Sequence, residues 1–205
     1  MTMRKKEQGF TLVEVAIVLV IIGLLLGGVL KGQELMKSAK VKGEAQLLQS
    51  YQTAYFGFID RYGAMPGDMN SGIPANWNIT GGNGNGTING GVCDNDDDES
   101  CKAIRMLRAA NFLNGDPAEA QPQPKDKLAN APMSLFSSTV ANQTGVWVYV
   151  NGNVDPELLN ILDRQIDDGK CSSGSMISQN TTNANFCDAT TGEYLRAQRY
   201  YYRIN

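Results

Sequence analysis

Asp163, Asp167 and Asp168 gather carboxylates at a spacing that puts two of them one helical turn apart, the pattern an acid/base pair for hydrolysis would need. No aromatic or substrate-binding residues surround them in sequence, so a solvated helix face is the simpler expectation. Ser172, Ser173 and Ser175 stand without a partner base, because the chain contains no histidine. That absence excludes every mechanism built on an imidazole base, nucleophile or ligand. Residues 81–88, Gly81-Gly82-Asn83-Gly84-Asn85-Gly86-Thr87-Ile88, resemble part of a calcium loop, with oxygen side chains at alternate positions before a glycine and an isoleucine. Alignment of Gly86 with the invariant glycine of such loops leaves Gly81 and Val92 where carboxylates belong. Asp94, Asp96, Asp97, Asp98 and Glu99 lie close enough in sequence to supply oxygens from another direction. A solvated loop is favoured over a calcium site here, and no cofactor is otherwise expected.

The four cysteines, Cys93, Cys101, Cys171 and Cys187, allow three pairings. The two short loops, Cys93–Cys101 and Cys171–Cys187, are favoured, and each would remove about 2–3 kcal/mol of unfolded-state entropy on the chain-entropy view. Their spacings fit no zinc pattern. An even count fits an oxidising compartment such as the periplasm.

A single charge, Glu14, lies between residues 10 and 30, and sixteen uncharged residues follow it. As a helix this stretch is about 31 Å long, which matches a bilayer core of about 30 Å. Arg4, Lys5 and Lys6 precede it. An ordinary secretory signal has its apolar region before a small-residue cleavage site. Here the apolar run follows Gly9, and residues 24–31 offer no such site. The span is therefore expected to be retained; an uncleaved signal anchor is the plainer alternative. The basic leader places the amino end in the cytoplasm, although Lys31, Lys37, Lys40 and Lys42 weaken that argument and the cysteines carry it.

The run Gly9-Phe10-Thr11-Leu12-Val13-Glu14, opening an apolar span behind a short basic leader, resembles the prepilin leader of type IV pilins and type II secretion pseudopilins. The resemblance covers roughly residues 4–62, the leader and a long first helix. It implies cleavage after Gly9 by a prepilin peptidase and N-methylation of Phe10 as the new first residue. It also implies that Glu14 pairs with the Phe10 amine of a neighbouring subunit and sets axial register. A plainer role for Glu14 is to complement the positive end of the helix dipole.

Residues 31–62 contain no proline and are rich in helix formers. Val41, Ala45, Leu48, Tyr51, Tyr55, Phe58 or Ile59, and Tyr62 form one apolar stripe, with Lys42, Glu44, Gln46, Gln49 and Gln52 largely off it. One helix over residues 10–62, about 80 Å long, is expected. Gly23, Gly27, Gly28 and Gly32 mark where it would bend or locally melt, or pack closely on other helices. Gly63 and Pro66-Gly67 end it, and residues 62–68 weakly resemble the segment after the first helix of many pilin-like proteins.

Beyond that point a helix over residues 99–114, closed by Gly115 and Pro117, is expected, followed by a loop over 116–132 without element signals. Residues 145–150 read as the best strand, with Asn151-Gly152 as a hairpin turn leading into Val154. Asp155-Pro156-Glu157 starts a helix whose buried side is Leu158, Leu159, Leu162 and Ile166, ended by Gly169. Residues 200–204 suit a final strand. The fold class is α+β and pilin-like: a long N-terminal helix on a loop-rich, disulfide-pinned head with a small antiparallel sheet.

The expected organisation is a leader over residues 1–9, a transmembrane or filament-core helix over 10–30, its amphipathic continuation over 31–62, and a head over 63–205. Loss of the leader takes the formal charge from −3 to −5. That balance makes no case for nucleic-acid binding. The function the resemblance implies is a structural subunit of a type IV pilus or related filament, not an enzyme. A type II secretion pseudopilin, or a low-copy minor or tip pilin acting as a binding module, are the alternatives. Implied partners are copies of the same chain, other pilins, the prepilin peptidase and an inner-membrane assembly platform. The implied location is the bacterial inner membrane, single-pass with the head in the periplasm, and then an assembled pilus or periplasmic pseudopilus.

Overall fold

The computed structural model describes residues 9–93, 95, 97–119 and 122–205. The leader residues 1–8, with Arg4, Lys5 and Lys6, and the loop acids Asp94 and Asp96 lie outside the described residues. The chain divides into two units, Met1–Ala39 and Lys40–Asn205.

In the first unit the sequence is helical from Leu12 onward, the start of α1 (Leu12–Tyr62). Every large apolar residue between 10 and 30 is exposed, from 46% at Ile22 to 88% at Phe10. This helix has a stretch long and apolar enough to cross a membrane, and among the described residues none of that stretch is buried. The helix does not melt at Gly23, Gly27, Gly28 or Gly32, contrary to that expectation. Glycine keeps its N–H donor, so its cost is the entropy of about 1 kcal/mol per residue rather than a broken hydrogen bond. An added Cβ at any of the four would meet nothing within 4 Å.

In the second unit residues 40–62 of α1 bury Val41, Glu44, Ala45, Leu48, Tyr51, Ala54, Tyr55 and Phe58, the three-and-four spacing of one helix face. Gly63, at φ +68°, ends α1 with its N–H on the Ile59 carbonyl. Beside this end Phe58 and Tyr62 pack against Trp77, which closes a short 3₁₀ turn (Ala75–Trp77). The helix α2 (Glu99–Ala109) stops five residues earlier than expected. Asn111 takes φ +62°, and the Phe112 and Asn111 amides bond the Leu107 and Arg108 carbonyls. Asparagine tolerates the left-handed conformation and so closes the helix before Gly115 is reached.

The sheet has four antiparallel strands in the order β1-β2-β4-β3: β1 (Met133–Val140), β2 (Gln143–Val154), β3 (Met176–Ser178) and β4 (Gln198–Arg203). Register puts Met133 opposite Val150, Leu135 opposite Val148, and both valines opposite Tyr200 and Tyr202, which together form the core side. The other side carries Phe136, Trp147, Tyr149 and Tyr201, with Tyr149 and Tyr201 stacked at 4.7 Å. The hairpin turn is not Asn151-Gly152. Ala141 and Asn142, at φ +47° and +63°, join β1 to β2, while Asn151 and Gly152 lie inside β2. The β2–β4 register shifts between Val150 and Val154. A Cβ on Gly152 would stand 2.2 Å from the Ala131 side chain, so this glycine serves close packing rather than a turn.

The helix α3 (Pro156–Ile166) begins as expected, the Asp155 carboxylate accepting from the Glu157 amide at 2.8 Å with proline in the first turn. Cys93–Cys101 and Cys171–Cys187 are both bonded, with Cα atoms 4.8 and 6.0 Å apart, the pairing favoured from spacing. The described part of the connecting segment 116–132 holds no helix or named strand, as expected for a loop, and its residues 126–131 are tied together by a buried acid. Asp126, 2% exposed, accepts from the amides of Leu128, Ala129 and Ala131 and donates its own amide to the Ala131 carbonyl.

Candidate functional site

Gly9, Phe10 and Thr11 precede the first helical residue, so the expected cleavage point sits outside regular secondary structure immediately before α1. Thr11 is the N-cap and Glu14 is the third helical residue. The Thr11 amide and hydroxyl both donate to the Glu14 carboxylate, at 2.8 and 2.7 Å. The Glu14 amide returns a bond to the Thr11 hydroxyl oxygen at 3.3 Å. This is a capping box, a threonine and a glutamate three apart satisfying each other's free backbone amides. It gives the carboxylate a partner inside its own chain and a local reason to stand at this position. The Thr11-x-x-Glu14 spacing was readable in the sequence, yet Thr11 was not singled out. Phe10, Glu14, Val15, Val18 and Leu19 line one open groove along the helix start.

The remaining chemistry-bearing groups are committed to building the head. Glu44 is fully buried, although the stripe placed it outside. The Tyr200 hydroxyl donates to one of its oxygens at 2.7 Å and the Lys127 amide to the other at 2.6 Å. Burial raises its pKa above the ordinary glutamate value, and these two donors pull it back down. Asp163 is likewise buried rather than on a solvated face. It accepts from the Tyr194 hydroxyl at 2.8 Å and the Gly169 amide at 2.9 Å. Burial pushes its pKa up to about 6 against those hydrogen bonds, with Asp167 and Asp168 adding repulsion.

Among the described residues, the carboxylates within ligand reach of one another are Asp163, Asp167 and Asp168, whose oxygens lie within 4.8 Å. Asp167 accepts from the Ser175 and Met176 amides, and Asp168 from the Lys170 amide and Ser173 hydroxyl. These acids shape the turn after α3, and Ser173 has a carboxylate acceptor but no base. The 81–91 loop is also ordered by acids. Asp68 accepts from the Asn85 and Gly86 amides, both at 2.9 Å, and Glu99 from the Asn83 and Asn89 amides at 2.8 and 2.7 Å. The expected solvated loop is thus folded onto Glu99, one of the acids close to it in sequence, and onto Asp68, which sequence spacing did not connect to it.

Residues 4–30 match the family described as the prokaryotic N-terminal methylation motif. The chain therefore carries the prepilin motif of type IV pilins and pseudopilins, and its architecture of long helix, small antiparallel sheet and disulfide-bonded head is pilin-like. The motif marks a substrate of the pilin type and implies processing by a prepilin peptidase and assembly with other pilins. Together with the apolar helix it fits membrane anchoring. No curated protein and no solved structure matches the chain.

Proposed function

We propose that the protein is a structural subunit of a type IV pilus or related filament. It is cleaved after Gly9, N-methylated at Phe10 and polymerised through α1. The carrying observation is the motif at residues 4–30 opening a helix whose large apolar residues between 10 and 30 are all exposed. In the bilayer, lipid covers that surface and the disulfide-bonded head faces the periplasm. Extraction into water would expose it at roughly 25 cal/mol per Å², so assembly must exchange lipid contacts for helix contacts with neighbouring subunits. Cleavage frees an α-amine on Phe10 with a reference pKa of about 7.7–8.0. In a staggered bundle Glu14 of one subunit pairs with that amine on the next, and both charges leave the apolar core compensated.

Mass spectrometry of the mature protein tests the first step: the amino end is methyl-Phe10, and an intact Met1 would sink the proposal. Quantitative immunolabelling along isolated filaments tests the second. Continuous labelling is expected for a shaft subunit, whereas signal confined to the ends identifies a tip component.

A further inference from the structure

Glu44 is a fully buried acid in the middle of an apolar helix face, between Val41 and Leu48, which are each 1% exposed. Its two oxygens take hydrogen bonds from groups remote in sequence and distinct in the fold. One donor is the hydroxyl of Tyr200 on β4, 156 residues away, and the other is the amide of Lys127 in the loop before β1, 83 residues away. That loop is itself held from within by Asp126 and tied to the sheet by the Met133 amide on the Pro124 carbonyl. The Lys127 side chain lies over Gly43, where an added Cβ would sit 3.5 Å from its Cγ. Tyr200 lies on β4 and Lys127 in the loop leading into β1, the two strands that flank β2.

The apolar stripe defines its own position on the head only in part. A slip of one turn would replace Val41 by Ala45, Tyr51 by Tyr55, Tyr55 by Ile59, Ala54 by Phe58 and Phe58 by Tyr62, all of them able to lie on an apolar surface, and would bring only Gln49 and Gln52 to the apolar places of Ala45 and Leu48. The same slip would put Leu48 opposite the Tyr200 hydroxyl and the Lys127 amide. Two buried donors would then have no acceptor, and each unmet donor weights the population against the slipped state roughly tenfold. We propose that Glu44 is a positioning residue, a polar key that fixes the rotation and axial setting of residues 40–62 of α1 in the head. This role deepens the filament reading and rests on it for its purpose: each subunit must offer its neighbours the same surface.

The test uses the full chain in detergent, as wild type and as Glu44→Leu, Glu44→Gln and Tyr200→Phe, with amide hydrogen exchange read peptide by peptide. Tyr200→Phe keeps the ring in the core and removes one donor, so it preserves the fold if Glu44→Leu does not. The expected result is exchange at least tenfold faster over residues 40–58 and 124–131 in Glu44→Leu, with α2 and β2 unchanged. Glu44→Gln, which can still accept from one donor, and Tyr200→Phe fall between. A uniform acceleration across the head, or none in any variant, overturns the proposal. Filament yield in the same variants is measured separately and should fall in the same order. If the wild-type chain builds no filaments, the functional reading fails while the exchange result still judges the key.

Discussion

Leucine at position 14 would remove two things at once: the acceptor for the Thr11 amide and hydroxyl, and the charge available to a neighbour's amine. The Glu14 amide keeps its bond to the Thr11 hydroxyl oxygen in this variant, so half of the capping box survives and insertion and processing are expected to proceed. Glu14→Leu is therefore expected to be cleaved and to reach the membrane, but to give filaments at no more than a tenth of the wild-type yield. Normal filament yield from a fully matured variant would reduce Glu14 to a capping residue. Asp163 offers a prediction on acidity. Its folded pKa of about 6 lies above the ordinary 3.8, so the folded state holds the proton more tightly. Stability contributed by this group is present below about pH 4 and declines as pH rises through about 6. Thermal melts of wild type should fall over that window, and Asp163→Asn should lose that part of the slope. An identical slope in both would place the linkage elsewhere, Glu44 being the next candidate by direction of shift.

Elements were legible in proportion to how locally they are determined. α1 and its stripe follow from a run without proline, and the start of α3 from Asp155 and Pro156, because each signal lies within a few residues of its effect. The buried acids were misread for the opposite reason. Glu44 and Asp163 find their tyrosine donors 156 and 31 residues away, and nothing near them in sequence announces those partners. β1 carries no clear strand signal because its hydrophobic alternation is interrupted: Ser134 is fully buried and accepts from the Cys93 amide, and Ser137, Ser138 and Thr139 fill its second half before Val140. Asn151-Gly152 carried the strongest turn chemistry, yet packing against Ala131 claimed its glycine and left the turn to Ala141-Asn142. That turn is open to improvement. Ala141 at φ +47° pays a penalty that asparagine or glycine relieves. Ala141→Asn with Asn142→Gly should stabilise the head by about 1 kcal/mol, a rise of roughly 2–4 °C in melting temperature. An unchanged or lower melting temperature would contradict the turn assignment.

At the scale of the molecule, Lys40–Asn205 forms its own compact unit with its own core and both disulfides. A chain starting at Lys40 is expected to express as a soluble, cooperatively folding domain, checked by circular dichroism and gel filtration. Reduction of both bonds should cost roughly 3 kcal/mol each on the chain-entropy view, read as a lowered denaturation midpoint. A midpoint unmoved by reductant would show that the loops gain nothing from closure.

The order β1-β2-β4-β3 places the latest of these strands in sequence inside the sheet. β3 has β4 as its sheet neighbour, so Met176–Ser178 cannot pair until residues 198–203 have followed them. Tyr200, one of the two donors to Glu44, arrives at the same late moment. For a chain made amino end first, the β1–β2 hairpin has both its strands before β4 exists, whereas the β2–β4 and β3–β4 pairings and the Tyr200 bond to Glu44 wait for residues 198–203. The last few residues of the chain thus complete the sheet and the polar seat of residues 40–62 together.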